Sequence, residues 1–279
     1  MLAEMTTCLR DRGREEYVAR LLRELGVEVV LELEEVDPQF EAAASLCRVL
    51  GLDGAVATYL VAVATYQLKC SGEVFWSRFS EYMRRVVPDK VVEGVVGFIL
   101  GDECSSIQRQ VKVGRVLKLS RYIGDVRYFI SSCNFLELWK LTYRALNADA
   151  NSKTVVFAVK MGYYGARALN ICGGPLPSEI PIPLDRRVAR ATLNLGLLTV
   201  GSPEDVMRCR DVVLESWRDI GRSSGIPPIH IDLLLWALQN PNTLAKALRR
   251  VGRREEVLKA LLKLVKQYGN TEDSSEEVH

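Results

Sequence analysis

Residues 147–161 read Asn-Ala-Asp-Ala-Asn-Ser-Lys-Thr-Val-Val-Phe-Ala-Val-Lys-Met. Asp149, Asn151 and Ser152 are each suited to cap a helix, because a short polar side chain accepts hydrogen bonds from the first backbone N–H groups. The helix then begins at Lys153, in the turn where the helix dipole is positive and disfavours an ammonium group. A neutral lysine amine is a nucleophile. The plainer interpretation is a lysine whose stem lies along the surface and whose ammonium reaches water.

The next conspicuous segment, residues 171–183, contains four prolines and two glycines. Proline interrupts helices, so this segment predicts an irregular loop, and a loop of this length often carries function. Asp185 follows the loop, just before the next predicted helix, at a position where a carboxylate caps well. Asp185 is therefore either a helix cap alone or a carboxylate presented to a site.

Hydrophobic periodicity predicts helices along almost the whole chain, and hence an all-α fold class. The segment 17–25 repeats apolar residues at helical spacing and is ended by Gly26, and the uncharged run 54–68 is too short for a bilayer span and predicts a core helix. The best strand candidate is 27–33. Further helices are predicted at about 41–50, 75–83, 107–121, 134–146, 153–169, 186–195, 203–220, 229–239, 242–252 and 254–267.

The composition is that of an ordinary globular protein, with 279 residues, 48% hydrophobic and 26% charged. The beginning of the chain shows no basic-then-apolar leader, so a cytoplasmic location is expected. The seven cysteines are odd in number and widely spaced, with no CxxC pair, which predicts neither a disulfide framework nor a zinc or iron–sulfur ligand set. With two histidines as well, we expect no metal and no cofactor, and chemistry based on lysine, carboxylate, hydroxyl or a lone thiol.

Charge is unevenly distributed although the net charge is only +2. The first 41 residues are acidic, whereas 109–121 and 246–266 are basic, a segregation that fits a polyanion-binding face. Arg109, Lys112 and Arg115 are predicted to form a cationic stripe that faces solvent or the phosphate backbone of a polyanion. Ordinary solvated helix faces are the alternative for either stretch alone. The buried side of the helix at 107–121 is predicted to be Ile107, Val111, Gly114 and Leu117.

Several pieces of the chain together resemble the helix-hairpin-helix superfamily of DNA glycosylases, and within it the archaeal 8-oxoguanine DNA glycosylases. The pieces span about 200 residues, and those containing Lys153 and Asp185 are the specific ones. The glycine-rich hairpin that usually precedes the lysine is replaced here by residues 147–152. The matching pieces are Asp37-Pro38-Gln39, the aromatic segment around Trp76, residues 151–161, residues 181–188 and residues 231–236.

The resemblance implies a helix-hairpin-helix glycosylase fold of two helical subdomains with the active site in the cleft between them. We expect the subdomains at about 40–140 and about 141–200, with 1–40 and 201–270 packing across them. Residues 271–279 are expected to form an acidic disordered tail.

The resemblance also implies roles for individual residues. Lys153 is the expected nucleophile and Asp185 the essential carboxylate. Plain core packing is the alternative for Phe157, and an ion pair with Asp232 or another acid is the alternative for Lys160. The expected base-binding residues are Phe157 and Trp236, which sandwich the base, and Gln39, Lys160 and Asp232, which read its edge, with Trp76 adding its indole N–H.

The implied activity is bifunctional. The enzyme flips 8-oxoguanine out of DNA, excises it through a lysine Schiff base and cleaves the strand by β-elimination. It is expected to act as a monomer, associated with the nucleoid and not with a membrane. The alternatives are a glycosylase for another damaged base, a non-catalytic all-α nucleic-acid-binding protein and a helical protein-interaction scaffold. The base opposite the lesion and the preference for single or double strands stay open.

Overall fold

The computed structural model describes residues 8–251 and 255–269, and within these ranges it is almost entirely helical. The strands there are two residues long and antiparallel, β1 (Leu9–Arg10) beside β2 (Leu198–Thr199). The predicted all-α class is confirmed; the tail predicted at 271–279 lies outside the described residues. In chain order the helices are α1 (Arg12–Leu25), α2 (Val27–Glu34), α3 (Pro38–Leu50), α4 (Leu52–Ala62), α5 (Gly72–Met83), α6 (Val91–Gly101), α7 (Arg109–Ser120), α8 (Ile123–Ser131), α9 (Phe135–Leu146), α10 (Lys153–Ala168), α11 (Arg186–Asn194), α12 (Pro203–Arg208), α13 (Arg210–Ser224), α14 (Pro228–Gln239), α15 (Pro241–Val251) and α16 (Glu255–Gly269).

The chain divides into two compact units. The continuous unit is Asp37–Ile180, and the split unit combines Met1–Val36 with Pro181–His279. The subdomain boundaries expected from the sequence stay a prediction: the one at about 140 falls inside α9, and the one at about 200 falls beyond the division at Pro181. Helices α9 and α10 pack against each other and both contact α8, so they share one core.

The continuous unit is built around α4, which packs against α10 and α3. Every residue from Gly54 to Thr65 is buried, so the predicted core helix is confirmed, although it ends at Ala62. A Cβ at Gly165 would lie 2.4 Å from the Ala55 side chain, so only glycine lets α10 approach α4 this closely. No helix in the described ranges is long and apolar enough to cross a membrane.

The split unit is assembled from both ends of the chain. Helix α1 packs against α13 and α16, and β1 pairs with β2. Trp217 is fully buried in this core and donates its indole N–H to Thr192 Oγ1 over 2.9 Å, which satisfies the polar atom of the ring. The Arg10 guanidinium, largely buried, contacts Glu15 and Asp219, each at 2.6 Å.

Residues 27–33, the predicted strand, form helix α2 instead. Val30, Leu31 and Leu33 are buried, and the helix packs against α14 and α15. The β-branched residues of this segment favour a strand only weakly. The packing of the apolar face of α2 against α14 and α15 therefore decides the conformation.

The structure contains three disulfides, contrary to the sequence-based expectation. They join Cys8 to Cys209, Cys70 to Cys104 and Cys133 to Cys172, with Cα–Cα distances of 5.7, 5.3 and 5.9 Å. These distances suit a disulfide. The spacing of the cysteines does not predict these pairs, because tertiary packing alone brings the partners together across separations of 201, 34 and 39 residues. The seventh cysteine, Cys47, is free and buried.

Candidate active site

Lys153 lies in the first turn of α10, as predicted, and its ammonium nitrogen is 5.6 Å from the centre of the Phe157 ring. Residues four apart on a helix share a face, which explains the contact. Phe157 and Trp76 of α5 form a T-shaped aromatic pair, with ring centres 6.2 Å apart and planes at 64°. The structure therefore brings three of the predicted residues together as an amine beside an aromatic wall.

The turn that begins α10 is held in an unexpected way. Ser152 occupies the N-cap position, yet its side chain makes no capping hydrogen bond, and the Asp149 carboxylate accepts from Asn151 N–H at 2.7 Å. The hydroxyl of Thr154 accepts instead from Arg115 of α7, over 2.6 Å. The first turn is thus fastened from a neighbouring helix, and not by its own cap.

Lys160 and Gln39, two of the predicted base readers, belong to one chain of contacts. Lys160 is 1% exposed and its ammonium lies 5.6 Å from the Tyr164 ring centre. The Tyr164 hydroxyl donates to Asp37 Oδ2 at 3.1 Å, and Asp37 Oδ1 accepts from Gln39 N–H at 2.9 Å. Asp37 caps α3, and this hydrogen bond fixes the backbone of Gln39 in the first turn of the helix. Tyr164 was missed at the level of sequence, although it lies one turn after Lys160 on the same face.

Asp185 caps α11, as predicted. Its Oδ1 accepts from the backbone N–H groups of Arg187 at 2.9 Å and Val188 at 3.1 Å, and its Oδ2 lies 3.5 Å from the Arg187 guanidinium. The side chain is 19% exposed. The carboxylate is therefore anchored through one oxygen at the N-terminus of α11, and its other oxygen lies beside the Arg187 guanidinium.

Asp232 and Trp236 lie one turn apart on α14 and form its accessible stripe. Every other residue from Ile226 to Leu238 is buried, so these two side chains share the face that ligands can reach. The opposite side is fixed by His230, whose Nδ1 lies 2.8 Å from Glu34 Oε1, both side chains being fully buried.

The start of α11 lies beside the end of α14 within the split unit. Gln239 donates its amide N–H to the backbone oxygen of Arg187 at 3.2 Å, and α11 packs against α14. The capping turn that holds Asp185 is thereby joined to the helix that carries Trp236.

The predicted orientation of α7 was wrong. Lys112 is fully buried, whereas Val111 and Leu117, predicted as core, are 56% and 47% exposed. The Lys112 ammonium lies 5.2 Å from the Tyr66 ring centre and 3.4 Å from Gln67 O, and burial lowers the pKa of this lysine. Lys112 therefore cannot contact a DNA phosphate from the surface. Val113, Val116 and Leu119 form the helix's buried side, an equally regular spacing that the sequence also contains.

Arg109 and Arg115 are half-buried and engaged with the protein. Arg109 donates to the backbone oxygen of Asp102 at 3.0 Å, and Arg115 donates to Thr154. The exposed cations of this stretch are Lys118 and Arg121.

Comparison with known proteins identifies the family. Residues 19–274 match the model of the AGOG family, described as N-glycosylase/DNA lyase. The N-glycosylase/DNA lyase of Pyrobaculum aerophilum is 33% identical over 224 residues, covering 78% of this chain and 83% of that protein. The corresponding protein of Aeropyrum pernix is 32% identical over 235 residues, covering 80% of this chain and 81% of that protein.

A solved structure agrees with this result. The crystal structure of the 8-oxoguanosine complex of Pa-AGOG, an 8-oxoguanine DNA glycosylase from Pyrobaculum aerophilum, has a TM-score of 0.77 and 28% identity, covering 91% of this chain and 97% of that one. The family resemblance inferred from the Lys153 and Asp185 segments is confirmed. The chain belongs to the AGOG family of N-glycosylase/DNA lyases.

Proposed function

We propose that the protein extrudes 8-oxoguanine from DNA, excises it with Lys153 as the nucleophile and then cleaves the strand. The observation that carries the proposal is the Lys153 amine over the Phe157 ring, at 5.6 Å from its centre. A base stacked on Phe157 brings its sugar near that amine. Stacking compensates part of the few kcal/mol that extrusion costs.

The chemistry requires a neutral amine and a carboxylate. Lys153 attacks C1′, the bond from C1′ to the base breaks with its electron pair going to the base, and the departing base takes up a proton. Opening of the sugar ring gives a Schiff base. Loss of a proton from C2′ then breaks the bond from C3′ to oxygen, and the downstream strand leaves with a 5′ phosphate. Asp185 stabilises the positive charge that develops on the sugar.

Base recognition is assigned to polar groups whose positions are fixed by their neighbours. Lys160 and Gln39 are linked through Tyr164 and Asp37, so an edge-reading role is supported by their shared placement. Trp76 adds its indole N–H to this side.

The assignments in the split unit rest on the resemblance and on exposure. Trp236 is the second stacking surface, and Asp232 accepts from the N1 and N2 hydrogens of a guanine-type edge. Both are partly exposed residues of α14, whose other residues up to Leu238 are buried. We assign contacts with the DNA backbone to Arg109, Lys118 and Arg121, and not to Arg115, whose guanidinium contacts Thr154. The enzyme is proposed to act as a monomer on chromosomal DNA, which size-exclusion chromatography tests.

Borohydride trapping on an 8-oxoguanine duplex tests the nucleophile. Lys153→Gln should bind the damaged duplex yet form no covalent adduct and cut no strand. Lys90→Gln, which removes the same charge from an exposed lysine, is the matched control and should behave as wild type. Base excision by Lys153→Gln would contradict the assignment. Trapping on duplexes with other damaged bases, but not on this one, would change the substrate and keep the mechanism.

Asp185→Asn separates the helix cap from the charge. Asparagine caps as well as aspartate does, so α11 should stay intact. Loss of the charge should slow excision on the order of 100-fold or more. A single-turnover rate within a few-fold of wild type, with unchanged thermal stability, would remove Asp185 from the catalytic residues.

A further inference from the structure

Arg115 is an unusual cation because no carboxylate contacts it among the described residues. Its guanidinium donates to Thr154 Oγ1 at 2.6 Å and lies 5.7 Å from the Tyr66 ring centre, and its Nε is buried without a hydrogen-bond partner. Burial lowers the pKa of Arg115, and Tyr66 opposes that effect. A buried polar atom without a partner costs free energy, so the placement needs a compensating role.

The other side of this contact is the first turn of α10. Ser152 leaves that turn uncapped, and its hydroxyl is likewise buried without a partner. Thr154 directly follows Lys153 in this turn. The guanidinium of Arg115 therefore holds this turn from α7 through the Thr154 side chain, and it accepts no hydrogen bond from the backbone N–H groups of the turn as an N-cap side chain would.

The segment beneath Arg115 is itself fixed. Tyr66 precedes Cys70, which is joined to Cys104, and Lys69 N–H donates to Cys104 O at 3.0 Å. Lys112 adds its contact with Gln67 O from the same helix as Arg115. A guanidinium that lies beside a ring held in this way and donates to Thr154 has little freedom to move.

We infer that Arg115 is a positioning residue: through Thr154 it holds the first turn of α10 so that the Lys153 amine stays aligned over Phe157. The inference rests on the proposed role of Lys153 as the nucleophile. Alignment matters because a displacement of about 1 Å at a reacting group can cost on the order of 100-fold in rate. Arg115 touches neither DNA nor the reacting atoms in this role.

The test compares Thr154→Val, which has the same shape without the hydroxyl, with Thr154→Ser, which restores it. Thr154→Val and Arg115→Gln should slow single-turnover excision of 8-oxoguanine about 10- to 100-fold, with duplex affinity within about 3-fold of wild type. Thr154→Ser should recover most of the rate.

Thr142→Val is the matched control, since Thr142 is a buried threonine of the same unit whose hydroxyl bonds Tyr59 at 2.8 Å. It should lower thermal stability and leave the excision rate of the folded enzyme unchanged. Wild-type excision by Thr154→Val, or equal slowing by Thr154→Ser and Thr154→Val, would overturn the inference.

Lys153→Gln, measured in parallel, separates this outcome from a failure of the proposed function. If Lys153→Gln still forms an adduct, the nucleophile is wrong. If it forms none while Thr154→Val excises normally, only the positioning role is wrong.

Discussion

The three disulfides should contribute large and graded amounts to stability. A disulfide limits the freedom of the unfolded chain, by about 3 kcal/mol for a 15-residue loop and about 4.7 kcal/mol for a 100-residue loop. Separations of 34 and 39 residues then correspond to about 4 kcal/mol each, and the separation of 201 residues to about 5 kcal/mol. The Cys8–Cys209 bridge, which closes the split unit, is therefore expected to matter most.

Thiol titration and urea unfolding measure this directly. Burial raises the pKa of the Cys47 thiol to about 12, so little thiolate forms and the native protein should react slowly. In urea without reductant one thiol should react, and after reduction all seven. Replacing Cys8 and Cys209 together by serine should lower the free energy of unfolding by about 5 kcal/mol, and replacing Cys133 and Cys172 by about 4 kcal/mol.

Cys47→Ala is the control for this series, because it removes a buried cysteine that forms no disulfide. Its effect on stability should be the same with and without reductant. Seven reactive thiols in the unreduced, unfolded protein would refute the reasoning. So would a Cys8→Ser, Cys209→Ser variant as stable as wild type under oxidising conditions.

Three other expectations concern single side chains. Arg10 holds the pKa of the Asp219 carboxyl below its usual range, so Asp219→Asn should lower stability at pH 7 and lose that effect as the pH falls below about 4, measured by urea unfolding. His230→Ala removes the buried partner of Glu34 and should lower the free energy of unfolding by about 3–5 kcal/mol, measured by urea unfolding. A loss no larger than that caused by an alanine substitution of an exposed residue would contradict this. Trp236→Ala should weaken binding of a lesion duplex by about 1–3 kcal/mol more than binding of undamaged DNA, measured by fluorescence anisotropy, and equal weakening of both would remove the stacking role.

The sequence predicted best those features that depend on neighbours along the chain. The start of α10 at Lys153, the cap at Asp185, the irregular segment 171–183 and the end of α1 at Gly26 all follow from local hydrogen bonding and backbone preference. The aromatic contact of Phe157 also follows from helical spacing, because it lies one turn beyond Lys153.

Features that depend on distant neighbours were missed. Helix α7 has two regular apolar faces, and only packing decides that Lys112 is inside and Val111 outside. A lysine is rarely fully buried, and here the ammonium of Lys112 lies beside the Tyr66 ring. The contact between Arg115 and Thr154 joins residues 39 positions apart, which no local pattern indicates.

The split unit has a consequence for the order of synthesis. The ribosome completes Asp37–Ile180 before it begins Pro181, so the helices of the continuous unit can pack against one another while the rest is still being translated. Helix α1 cannot pack against α13 and α16, and β1 cannot pair with β2, until those later elements have been synthesised. Until then the apolar side of α1, including Leu22 and Leu25, is uncovered in the nascent chain. A chain truncated after the continuous unit would therefore be partly folded, with an exposed apolar face on its amino-terminal helix. Such an exposed apolar face is what chaperones bind.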